Sequence, residues 1–172
     1  MSRLKKTLQF IDDMVHRVGF VFSFLLLPLM IITTIEVVAR YIFNSPTIWA
    51  WDINMQIFSA LIAIGGSYGL RHDMHVKVDV FVMNLRPRRR ALLDLITSVL
   101  FFFTMVVFLY ESSKVAIESI KMREVMSTIW APPIYHIMIL IPIGALLFLL
   151  QGIAIHVRNL LIVIQKEKEV RQ

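Results

Sequence analysis

Glu36, Arg40 and Asn44 are spaced by four, with Thr33 one turn before them. On a helix this spacing makes one polar stripe. Asp52, Gln56, Ser59, Ala63 and Gly66 make a second stripe, and the opposite face of that segment, Ile53, Ile57, Leu61, Ile64 and Tyr68, is fit for lipid. Both stripes lie within long apolar runs. A carboxylate there can relay protons or ions, or it can pair with a base and fasten helices together. A charge in hydrocarbon costs about 2.5–3.5 kcal/mol on insertion scales, so such groups face protein or water and pair. The acid and base sit at matching depth near one end, and no acidic chain crosses the midplane. Structural pairing, between helices or with a partner subunit, is therefore preferred to an ion path. The turn from Asn44 to Ile48 is short, so the two runs must lie antiparallel. Arg40 and Asp52 are predicted to meet at one depth and stabilise each other, with Glu36 a turn deeper.

The histidines suggest a second chemistry. His16, His72 and His156 all fall near the same ends of apolar runs, and His136 falls at the opposite end. Two imidazoles at one depth on facing helices could ligate haem, so a haem-binding membrane anchor of a redox complex is the alternative reading. His75 and Asp79 are four apart and can pair on a helix, with Arg86 near the same stripe. The chain has no cysteine, which excludes disulfides, thiolate catalysis and Cys-ligated metals. No catalytic constellation is evident, so an enzyme is not expected. Neither a cofactor nor a metal is expected.

The elements that must carry these residues follow from hydropathy. Of the 172 residues, 58% are hydrophobic, and the mean hydropathy is +0.72. Four apolar blocks run over about 18–43, 48–70, 91–110 and 134–160. Each reaches the roughly 18 residues needed to cross a hydrocarbon layer about 30 Å thick. Continuous runs of this length read as helices, which satisfy their own backbone groups in lipid. The fold expected is all-α: one four-helix membrane domain over 1–172. Leu4, Leu8, Ile11, Val15 and Val18 share one helical face, which suggests an interfacial helix leading into the first span. Small residues in 65–69, GGSYG, suit close helix approach.

Basic residues gather at both ends and in the loop 71–90, which carries Arg71, Lys77, Arg86, Arg88, Arg89 and Arg90. The positive-inside rule then makes both termini and this loop cytoplasmic. Trp49, Trp51 and Trp130 fall at the outer interface. The run RPRRR is a topology determinant touching anionic membrane lipids. A nucleic-acid partner is not expected, because this charge belongs to loops flanking spans. Residues 74–85 read as a short interfacial helix, either a solvated face or a docking surface for another chain.

The order EVVARYIFNSP, then Trp and Asp, then GGSYGLRHDMHVKVDVF, an Arg-rich turn and LIPIG resembles the small membrane subunit of tripartite ATP-independent periplasmic (TRAP) transporters, the Q subunit of the dicarboxylate-transporter type. The resemblance covers about residues 15 to 160. Its best marks are Arg40-Tyr41-x-Phe43-Asn44-x-Pro46, Gly65-Gly66 and His75-x-x-x-Asp79. Many members carry a Glu pair after the first loop's Trp, where this chain reads Trp51-Asp52. The resemblance implies a bacterial inner-membrane subunit that supports and anchors a large multi-span membrane subunit. That subunit would drive Na⁺-coupled uptake of an organic acid delivered by a periplasmic substrate-binding protein. Glu36, Arg40, Asn44, Asp52, Gln56, His75 and Asp79 are then candidates for structural or subunit-interface roles.

Overall fold

The computed structural model describes residues 2–72 and 87–170. His75, Asp79 and the segment 74–85 lie outside the described residues. Five helices make up the rest: α1 (Ser2–Ser23), α2 (Leu26–Tyr41), α3 (Ala50–Arg71), α4 (Pro87–Met122) and α5 (Tyr135–Val170). Four stretches are long and apolar enough to cross a membrane: Lys6–Tyr41, Ala50–Arg71, Thr97–Met122 and Tyr135–Arg158. The all-α membrane fold stands as expected.

The first apolar block is broken where the sequence looks continuous. Pro28 has no N–H to offer the carbonyl of Phe24, and its ring would crowd that carbonyl. The Phe24 carbonyl instead accepts from Leu27 N–H at 3.2 Å, and Leu25 N–H returns to Phe22 at 3.0 Å. These tight turns separate α1 from α2.

The apolar face foreseen on α1 exists, but it packs on protein. Val15 is fully buried with Ile64 of α3 and Leu147 of α5, and Ile11, Met14, Val18 and Phe22 surround that cluster. Leu8 is buried as well. An interfacial helix would have turned this stripe to lipid. Here α1 lies against both α3 and α5.

α3 packs against α1, α2 and α5, while α4 packs chiefly on α5 and α2 chiefly on α3. The spans form an open row, in the order α2, α3, α5, α4. The outer helices keep apolar flanks exposed, among them Ile31, Ile35 and Val38 of α2 and Val99, Phe103 and Val106 of α4. The lipid-facing ridge expected on α3 is displaced by this packing. Ile64 is 1% exposed, whereas Trp51, Met55, Phe58 and Ile62 face outward. With a neighbour on either side, α3 keeps only a narrow stripe free.

The close backbone approach of α5 to α3 is made by Gly144 rather than by Gly65 or Gly66. A Cβ on Gly144 would lie 1.8 Å from the carbonyl oxygen of Ala63, so only hydrogen there lets α5 meet the α3 backbone. A Cβ on Gly65 would meet nothing within 4 Å, and one on Gly66 would make ordinary contact with Phe148.

At the far end of α2, Asn44 takes the left-handed conformation (φ 50°), which Asn tolerates better than most residues. The amides of Phe43 and Ser45 return to the carbonyls of Val38 and Ala39. α4 runs on past Tyr110, where its apolar block was expected to end, and stops at Met122. Arg123 (φ 47°) reverses the chain there, with Arg123 N–H on Ile120 and Glu124 N–H on Ser119. That is a Schellman ending with arginine at the usual glycine position. The loop to α5 is a short hairpin, with Met126 N–H on the Pro132 carbonyl at 2.9 Å and Ile134 N–H on that of Glu124 at 3.0 Å.

Candidate functional site

The polar side chains gather in two layers, one at each end of the row. The first lies where α2 turns into α3. Glu36 Oε1 accepts from Arg40 Nη2 at 2.6 Å and Nε at 3.1 Å. Glu36 Oε2 accepts from the Thr47 hydroxyl at 2.5 Å and its N–H at 3.1 Å. The carboxylate therefore clasps the turn back onto α2. Asn54 Nδ2 donates to Thr33 Oγ1 at 3.1 Å one level deeper, joining α3 to α2.

Asp52 does not meet Arg40. Its side chain faces away from α2, is 1% exposed, and accepts from the Thr128 hydroxyl at 2.6 Å. The predicted Arg40–Asp52 pair is thus replaced by two separate fastenings. Helix rotation is the reason: equal depth does not give equal azimuth, and the α2 side of α3 is occupied by Asn54 rather than Asp52. Thr128 Oγ1 also accepts from Ala131 N–H at 3.2 Å, so the hydroxyl orders its own loop while gripping α3. One turn along, Gln56 Nε2 donates to the Pro133 carbonyl at 3.3 Å. Its Oε1 lies 3.1 Å from His136 Nε2. Asp52 and Gln56 do share a stripe, as expected, and the stripe holds the α4–α5 loop. Asn44 is a turn residue, exposed and outside this network. Trp49, Trp51 and Trp130 all belong to this end of the row.

The second layer lies at the opposite end, and the sequence reading missed its centre. Asp12 of α1 accepts from Arg158 Nη2 of α5 and from Gln151 Nε2 at 3.1 Å. Its backbone carbonyl accepts from Arg71 Nη1 of α3. Arg158 Nη2 also reaches the Leu8 carbonyl at 3.4 Å. One residue thereby links three helices. The signal was present as Gln151, a lone amide inside an apolar block, and as an acid near the amino end facing bases at other span ends. Along α3 the two layers, at Asp52 and Arg71, are about 28 Å apart. That is close to one hydrocarbon thickness.

This arrangement fastens helices and loops. Three hydroxyls between the layers turn inward to their own helices: Thr33 donates to the Leu29 carbonyl at 2.7 Å, Thr34 to Met30 at 2.8 Å and Ser67 to Ile64 at 2.8 Å. The haem alternative is not supported. His16 stacks on Tyr68 with centroids 5.7 Å apart, and Tyr68 lies 4.4 Å from His72. His16, Tyr68 and His72 thus pack on one another as a ring cluster. His156 meets the edge of Phe102.

Sequence comparison decides what kind of bundle this is. The family described as "Tripartite ATP-independent periplasmic transporters, DctQ component" matches residues 29–161, which include most of α2, all of α3 and α4 and the apolar part of α5. The chain belongs to this family. It is thus a small permease subunit of TRAP type, a transport component and a multi-pass protein of the bacterial inner membrane. It is similar to the C4-dicarboxylate TRAP transporter small permease protein DctQ of Vibrio cholerae serotype O1 (strain ATCC 39315 / El Tor Inaba N16961), at 30% identity over 70 residues. That match spans 41% of this chain and 30% of the relative. The family match begins after Pro28, so Asp12 and the rest of α1 lie before it. Gln151 and Arg158, the partners of Asp12 on α5, lie within it.

Proposed function

We propose that the subunit supports and anchors the large membrane subunit of a TRAP transporter during Na⁺-coupled uptake of an organic acid delivered by a periplasmic binding protein. The observation that carries this is how the bundle uses its polar groups. Glu36, Asp52, Gln56 and Asp12 are engaged in holding helices and loops together, which suits a rigid support more than a moving carrier. The open row leaves both flanks free to lie against another membrane chain or lipid. A C4-dicarboxylate, named in the Vibrio cholerae relative, is the substrate class to test first. The domain is proposed to be one unit, with both termini and the basic loop 71–90 on the cytoplasmic side. His75 and Asp79 are proposed to serve assembly.

Proteoliposomes supply the test. Labelled succinate with its binding protein and an inward Na⁺ gradient should enter vesicles holding both membrane subunits. Vesicles holding this chain alone should show only background uptake. Accumulation by the chain alone would make it a carrier in its own right and end the support reading. Orientation is checked in cells, where the absence of cysteine gives a clean background. Cysteines placed at Ser45 and Ser127 should react with an impermeant maleimide, and one at Arg89 should not. The reverse pattern would invert the topology.

A further inference from the structure

We infer that the groove between α2 and α3 binds one phospholipid, with its phosphate on Arg40 and an acyl chain along the two helices. The groove is lined by Leu29, Val37, Met55 and Phe58 on its apolar walls, and Arg40 and Trp51 stand at one end. Its volume is about 380 Å³, within the roughly 300–1,000 Å³ of small-ligand clefts. From Leu29 to Arg40 the α2 wall is about 16 Å long. That is about half the hydrocarbon thickness, or one leaflet.

The chemistry of the groove suits a lipid along its length. Below Arg40 the Thr33 hydroxyl, the Asn54 amide nitrogen and the Glu36 carboxylate are engaged, and Asn54 Oδ1 is buried away from the groove surface with no partner among the described residues. Thr33 bonds the Leu29 carbonyl and receives Asn54, while both oxygens of Glu36 are taken by Arg40 and Thr47. The walls thus present carbon to the hydrocarbon layer. Arg40 differs. Glu36 engages its Nε and Nη2, yet 53% of the side chain stays open beside the groove. The residue sits in the last turn of α2, at headgroup depth, where a guanidinium binds phosphate through charge-assisted hydrogen bonds. Trp51, 67% exposed at the same mouth, places an amphipathic ring at the level where lipid headgroups meet chains. The adjacent Glu36 carboxylate offsets part of the cation's charge. A zwitterionic headgroup such as phosphatidylethanolamine is therefore favoured over a doubly charged one.

The test is native mass spectrometry of the purified full chain, extracted mildly from membranes and exchanged into delipidating detergent. The wild type should retain one phospholipid. Val37→Trp fills the groove from an exposed position and leaves the Arg40–Glu36 pair in place. It should lower retained lipid at least tenfold. Arg40→Leu should do the same. Lys121→Leu removes an exposed cation from the last turn of α4, at the same end of the row, and should change nothing. Unaltered retention in Val37→Trp would overturn the site, even if Arg40→Leu fails to accumulate. Equal loss in Lys121→Leu would reduce the effect to general attraction between charge and membrane. A photo-crosslinker at Met55 in the assembled transporter should give a lipid adduct. An adduct with the large subunit alone would assign the groove to a protein helix and end the proposal.

Discussion

Gly144→Leu should nearly abolish accumulation of folded subunit in the membrane, whereas Gly65→Leu should leave it within about twofold of wild type. The difference arises from what each new side chain meets. At 144 the first added carbon would already lie 1.8 Å from the Ala63 carbonyl oxygen and 2.6 Å from its carbonyl carbon. Both are backbone atoms in the middle of α3, so no rotamer relieves the clash and the helices must part. The layers at both ends resist parting: Asp52–Thr128 and Gln56–Pro133 tie α3 to the loop that leads into α5, and at the other end Asp12 holds Arg71 of α3 together with Gln151 and Arg158 of α5. Overpacking a tight interior commonly costs about 1–3 kcal/mol, and a backbone-on-backbone contact belongs at or above the top of that range. At 65 the new side chain enters open space, on the face turned to lipid, where leucine is welcome. Gly144→Ala should show an intermediate loss. Membrane yield and circular-dichroism melting in detergent would measure both. Folding of Gly144→Leu at wild-type yield and melting temperature would mean that α3 and α5 do not pack in this register.

Asp12→Ala should loosen α1 from the other helices and destabilise the subunit by about 2 kcal/mol. Breaking a buried pair costs on the order of 3–5 kcal/mol, and an exposed pair about 0–1. The Asp12 side chain is 13% exposed and that of Arg158 is 40% exposed, which sets this pair between the two. Asp12→Asn should lose less, since a neutral oxygen can still accept from Gln151. Gln151→Met should cost less again. That amide is buried with its oxygen unpartnered among the described residues, so its removal takes away one bond and one unsatisfied atom together. Arg71 should keep α1 partly attached in every case, because it binds the Asp12 main-chain carbonyl rather than the carboxylate. Faster tryptic cleavage at Arg17, together with a lower melting temperature, is the expected readout. Wild-type proteolysis of Asp12→Ala would show that the apolar cluster of Val15, Ile64 and Leu147 holds α1 unaided.

Much of this molecule was legible in one dimension because a bilayer makes simple demands. Backbone groups in hydrocarbon must be satisfied locally, so a long apolar run is a helix and its length is bounded. Four spans, the antiparallel α2–α3 pair and the shared stripe of Asp52 and Gln56 followed from that rule and from helical spacing. The break at Pro28 was readable too, since a missing N–H is a local fact, though the hydropathy of the block concealed it.

Partner choice was not legible. Spacing gives the depth of a side chain along its helix and its angle relative to neighbours on that helix. It does not give the rotation of one helix against the next. Arg40 and Asp52 share a depth, yet α3 turns Asn54 toward α2 and Asp52 toward Thr128, a residue far along the chain. Ile64 looked fit for lipid until α1 and α5 closed over it. Gly65 and Gly66 looked like the close contact, but Gly144 makes it, because small size matters only where another backbone arrives. The sequence by itself determined how many helices cross and which residues lie at each level. Only the tertiary structure decided which faces meet, because the azimuth of each helix is set by the packing of all its neighbours at once.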